Sequence, residues 1–144
     1  MIPKSLAICV VTGVVASALM GIYLQHLNSQ SIIFVQGSSI SGYAEKNSYS
    51  LGEPVLISIV NSGNTKLGFA NDSPAIIIRA LDGTIFFSTT MLGSVEPTQK
   101  LTFEWNQQKN DNSKILEGRY VVEIITHDES GEQITDSFTL DILR

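Results

Sequence analysis

The sequence predicts an all-β domain, a two-sheet sandwich of about seven to nine strands, preceded by one N-terminal transmembrane helix. Three observations predict it. Residues 6–24 carry no charged side chain, and from residue 31 onward short apolar runs of five to eight residues follow a period of two. Gly paired with Asn, Asp or Ser punctuates those runs, the composition of chain reversals between strands. With 43% hydrophobic and 16% charged residues the chain is too apolar for disorder. The roughly 110 to 120 residues behind the apolar segment suffice for one core and therefore one domain.

The N-terminal element is "LAICVVTGVVASALMGIYL", residues 6–24. As a helix it would span roughly 28 Å, about one hydrocarbon core. Lys4 and the amino terminus form the positive flank, which places the N-terminus in the cytoplasm and the domain outside. Ala16-Ser17-Ala18 also has the small-x-small form of a signal-peptidase site, so secretion after cleavage is the alternative. The retained anchor is preferred because the apolar run continues through Leu19, Met20, Ile22 and Leu24. Gly13, Ser17 and Gly21 recur every four residues, a candidate face for pairing with a second helix. Cys9 is the only cysteine, which excludes an intramolecular disulfide, and Ile8 stands where a lipoprotein cysteine is preceded by a small residue.

A polar connector, residues 25–31, leads to the domain at 32–144. Strands are expected at 31–36, 39–44, 54–61, 66–71, 75–80, 84–89, 99–105, 118–127 and 133–143. "NSGN" at 61–64, "LDG" at 81–83 and "DESGE" at 128–132 should each reverse the chain. Leu101, Phe103 and Trp105 lie two apart and should share an inward face, with Trp105 as a core anchor. The polar stretch that follows it ends in Leu116-x-Gly118-x-Tyr120, which opens the next strand.

That last motif resembles the tyrosine corner of immunoglobulin-like sandwiches, where the hydroxyl bonds back to nearby backbone. Together with Tyr49-x-Leu51-Gly52-Glu53-Pro54-Val55, Asn61, Leu67-x-Phe69, the run at 78–83 and Phe103-x-Trp105-x-Gln107, it is similar to the bacterial intracellular proteinase inhibitor family and related archaeal exported domains. The resemblance covers about residues 48–125 and implies an immunoglobulin-like β-sandwich. The chain departs from that pattern at Ser113, where a glycine is usual, and at Leu116-Glu117, which lacks the customary proline before Gly118. The layout of one membrane helix and an outward sandwich also resembles archaellar stator proteins of the FlaF and FlaG type.

Chemistry is constrained by what the domain lacks. It holds no cysteine, and His26 and His127 are the only histidines of the chain. Cys-His nucleophiles, cysteine-ligated zinc and cupredoxin copper sites are therefore excluded. Neither a G-x-S-x-G elbow nor a phosphate-cradling glycine motif occurs. No catalytic residue, metal or cofactor is expected. The acidic group Asp128, Glu129, Glu132 and Asp136 reads as a solvated hairpin tip rather than a calcium loop. After Lys4 the chain carries eight basic and fourteen acidic side chains, a net of −6, which argues against nucleic acid as a partner.

What remains is non-covalent binding. The candidate partner-binding loop is Asn106, Gln107, Gln108, Lys109, Asn110, Asp111, Asn112, Ser113 and Lys114, rich in amide donors. Asn71, in Asn71-Asp72-Ser73, is a candidate glycosylation site. The expectation is a membrane-anchored extracytoplasmic binding or scaffolding domain whose partners are other envelope or membrane proteins. The alternative is an exported proteinase inhibitor that inserts the 106–114 loop into a protease cleft.

Overall fold

The computed structural model describes Ser17, Leu19 and residues 32–144. Ser17 and Leu19 are helical and exposed. The rest of the expected 6–24 helix, including Gly13 and Gly21, and the 25–31 connector lie outside the described residues. Among the described residues no helix is long and apolar enough to cross a membrane.

The domain is all-β, with ten strands in two sheets. One sheet has the order β1 (Ile40–Ala44), β3 (Val55–Asn61), β8 (Lys100–Trp105), all antiparallel. The other is built around β9 (Gly118–His127) and β10 (Gln133–Leu143), with β2 (Ser48–Ser50) running parallel to the end of β10. On its other edge β9 pairs along Tyr120–Ile124 with β5 (Ile76–Ala80), which pairs with β6 (Ile85–Thr89). At His127, β9 meets β4 (Leu67–Gly68), which pairs with β7 (Ser94–Val95).

The period of two in the sequence becomes the division between core and surface. In β9, Tyr120, Val122, Ile124 and Thr126 point inward and are buried, while the residues between them are half-buried. Val55, Ile57 and Ile59 of β3 face them from the opposite sheet, fully buried in the same cluster. Each such aliphatic side chain contributes about 1.5–3 kcal/mol on burial, which offsets the ordering of the strands. Gly42 of β1 permits an unusually close approach of the sheets. A Cβ there would lie 2.0 Å from Ile124 Cδ1, and the Gly42 N–H donates to the Asp136 carboxylate at 2.8 Å.

Four expectations need correction. No strand forms over residues 32–36: the side chains of Ile33, Phe34 and Val35 are exposed, with nothing to pack a sheet face against. The strand expected at 66–71 shrinks to β4, because Phe69 turns into a small second core with Ala75 and Val95. β2 and β7 were not expected, since strands of three and two residues are too short to display alternation. "NSGN" is not a hairpin but a crossing from one sheet to the other. Its pivot is the buried Asn61 amide, which donates to Thr65 O and Val95 O, both at 2.8 Å, and accepts from Gly63 N–H at 3.0 Å. "LDG" and "DESGE" do form hairpins, β5–β6 and β9–β10, with positive φ at Gly83 and Gly131.

The turn before β8 sets the phase of its ladder. Pro97 and Thr98 are its central residues, Gln99 N–H bonds Glu96 O, and Thr98 takes φ 66°. Thr98 N–H then donates to Asn61 O and Asn61 N–H to Gln99 O, so two residues of one strand oppose one of the other, a β-bulge.

Candidate binding pole

The polar stretch after Trp105 connects β8 in one sheet to β9 in the other, so it is a sheet-to-sheet corner. Trp105 is 1% exposed and donates its indole N–H to Gln108 O at 2.9 Å. Tyr120 stands edge-on to it, ring centroids 6.2 Å apart, and donates its hydroxyl to Leu116 O at 2.7 Å. Burial pushes the Tyr120 phenol up, only partly offset by that hydrogen bond, so it stays a neutral donor.

Within this frame the candidate loop is largely committed to the fold. Gln107 is buried and sits at φ 58°. Its amide donates to Ser50 O at 2.8 Å and Glu53 O at 2.7 Å, and accepts from Gly52 N–H at 2.8 Å. Gln107 thus holds the β2–β3 turn from a buried position. Asn110 bonds both backbone groups of Ser88, accepting from its N–H at 2.6 Å and donating to its carbonyl at 2.8 Å. It imitates a paired strand residue on the outer edge of β6. Asn106 donates to the Gln108 side chain, and Gln108 forms an isolated bridge with Lys114. Between them Lys109 N–H bonds Ser113 O, Asn112 N–H bonds Lys109 O, and Asp111 caps Ser113 N–H. Lys109 also lies over the Phe86 ring. The Asp111 carboxyl is held below its usual range by the Ser113 hydroxyl and backbone N–H.

The more open surface beside this loop is apolar. Leu51, Leu81, Leu116 and Leu143 are 43%, 67%, 77% and 53% exposed. Leu51 and Leu116 line a groove of about 560 Å³ with Gly52 and, from the candidate loop, Asn106, Gln107, Gln108 and Lys114. Leu81 and Leu143 line a second, of about 480 Å³, with Gly118 and Arg119. The two grooves are joined by the hydrogen bond from Leu51 N–H to Leu143 O, 2.8 Å. Lys46–Glu53 and Arg119–Asp141 ion pairs stand beside them, giving an apolar patch with a charged border. All of it lies at the pole formed by the end of β10, the β5–β6 turn and the β8–β9 corner. The chain enters at the other pole, where Val35 N–H bonds Ser62 O.

Sequence reasoning selected the amides and missed these leucines. A signal was present: Leu51-Gly52, Leu81-x-Gly83 and Leu116-x-Gly118 each set a large apolar residue beside a turn glycine, where no strand face can bury it. Of the other singled-out residues, Asn71 is exposed in the turn between β4 and β5. The acidic group is dispersed. Asp128 caps its own hairpin through Ser130 and Glu132, and Asp136 holds Gly42.

No family model matches the chain, and no curated protein matches it. Among solved structures it is similar to CopC from Methylosinus trichosporium, at 16% identity and a TM-score of 0.46, over 74% of this chain and 93% of that one. It is also similar to the sporulation control protein Spo0M from Bacillus subtilis, at 14% identity and 0.43, over 76% of this chain and 51% of the other. PorZ, a surface component of the type-IX secretion system of Porphyromonas gingivalis, gives 14% and 0.40, over 72% of this chain but 12% of its own. Nothing about fold, activity or partners is argued from likenesses this distant.

Proposed function

We propose that this is an immunoglobulin-like, membrane-anchored extracytoplasmic domain that binds or scaffolds other envelope or membrane proteins, through the apolar pole opposite its point of chain entry. The observation that carries this reading is the cluster of four exposed leucines around two joined grooves, since a solvated surface has no use for a contiguous apolar patch. The tyrosine corner supports the immunoglobulin-like assignment. The uncharged 6–24 segment supports the anchor.

In-cell cross-linking of the tagged full-length chain, with mass spectrometry of the captured proteins and of its own N-terminus, tests both parts. Envelope or membrane subunits should be recovered with residues 1–24 intact. The double variant Leu81→Asp, Leu116→Asp should lose them while keeping its melting temperature. Equal capture by that variant sinks the pole as the binding surface.

A second reading, an exported proteinase inhibitor, is favoured by one observation: the 109–113 turn is closed by its own hydrogen bonds. Preorganisation of this kind lowers the ordering cost of insertion into a cleft. Recovery of a protease with a bait cut near Leu19, and loss of inhibition on replacing that turn by Gly-Ser, would establish it instead.

A further inference from the structure

We propose that two copies of this chain pair edge to edge through β8, joining their three-stranded sheets into one continuous six-stranded sheet. β8 is the last strand of its sheet: it pairs β3 on one side, and on the other side no strand accompanies it among the described residues. The bulge at Thr98 and Gln99 fixes which backbone groups are free. Because Asn61 and Gln99 exchange a hydrogen bond across the ladder, the N–H and C=O groups of residues 99, 101, 103 and 105 face β3. Those of Lys100, Thr102 and Glu104 face outward, a row of unpaired donors and acceptors.

The side chains select a second copy as the occupant. Lys100, Thr102 and Glu104 are exposed and share the outer face of the sheet. In an antiparallel pair centred on Thr102, that residue meets its own copy and each Lys100 stands opposite a Glu104. These are the cross-strand pairs that stabilise a sheet, and a strand with one sign of charge would repel itself instead. The same register places the free backbone groups of Thr102 against Thr102 and of Lys100 against Glu104, so hydrogen bonding and charge complementarity require one alignment. On the inner face it sets Leu101 opposite Phe103. Both are only half-buried in the single chain, Leu101 against the two core clusters and Phe103 beside Phe87, ring centroids 6.0 Å apart. Pairing would cover them. This surface is separate from the leucine pole and does not depend on it.

The test uses the full chain in native membranes or mild detergent, with Cys9→Ser to remove the only native thiol. Thr102→Cys should then form a disulfide-linked homodimer under mild oxidation, because directly opposed, hydrogen-bonded residues are about 5.5 Å apart, within reach of a disulfide. Glu104→Cys should not, since its copy lies four residues along the partner strand, about 13 Å away. Lys100→Glu or Glu104→Lys alone should weaken dimerisation about tenfold, and the double exchange should restore it. Absence of the Thr102→Cys dimer, equal linkage at both positions, a mixed disulfide with another protein, or failure of the double exchange to rescue would each overturn the proposal.

Discussion

Gln107 shows how a polar residue in a polar loop becomes structural. Its three hydrogen bonds satisfy two carbonyls and one N–H of the β2–β3 turn, groups that no strand pairs. Replacing it by Ala should therefore cost about 2–4 kcal/mol, read as a lower midpoint in denaturant unfolding at unchanged slope. A variant as stable as the parent would return Gln107 to the list of residues free to meet a partner. By contrast Asn106 and Lys114 are exposed, and their replacement by Ala should leave stability within about 0.5 kcal/mol. In the sequence these residues form one polar run and nothing ranks them. Trp105 was legible because its spacing from Leu101 and Phe103 marks a strand face, whereas the burial of Gln107 depends on a turn some fifty residues earlier.

At the scale of elements, two of the outer edges of the sandwich are treated differently. The outer edge of β6 is covered by Asn110, whose amide pairs both backbone groups of Ser88, while among the described residues β8 carries no such cover. Asn110→Ala should cost little stability, about 1 kcal/mol, but should raise the tendency to aggregate, because it uncovers a β6 edge beside the half-buried Phe86 and Phe87. Light scattering during prolonged incubation near 40 °C checks this, and unchanged scattering would show that the cap is dispensable. Long strands were legible to their ends, β9 and β10 above all, because each buries one alternating face. β2 was not, since a single inward side chain, Tyr49, flanked by serines has no periodicity to read.

For the whole molecule, charge sets the response to acid. Lys46 beside Glu53 and Arg119 beside Asp141 lower those two carboxyls, and turn donors at Thr84, Ser113 and Ser130 lower Asp82, Asp111 and Asp128. A carboxyl lower in the folded state than in the unfolded one stabilises above its unfolded value and loses that stability as pH falls through the folded value. The melting temperature should be flat from about pH 8 to 5 and fall below about pH 4. Constancy down to pH 3 would mean that these contacts contribute nothing to folding. Asp82 and Asp111 are exposed and Glu53, Asp128 and Asp141 are half-buried at the surface, so added salt should weaken the ion-paired Glu53 and Asp141 contributions first. The sequence by itself determined the all-β class and the inward residues of the long strands, Trp105 among them, because each follows from local spacing along one chain segment; the Tyr120 corner was implied by a resemblance. Tertiary structure alone decided that "NSGN" crosses between sheets, that Gln107 is spent inside the fold, and that Leu51, Leu81, Leu116 and Leu143 meet at one pole. Those outcomes depend on which distant segments become neighbours, and alternation within a strand carries no information about that.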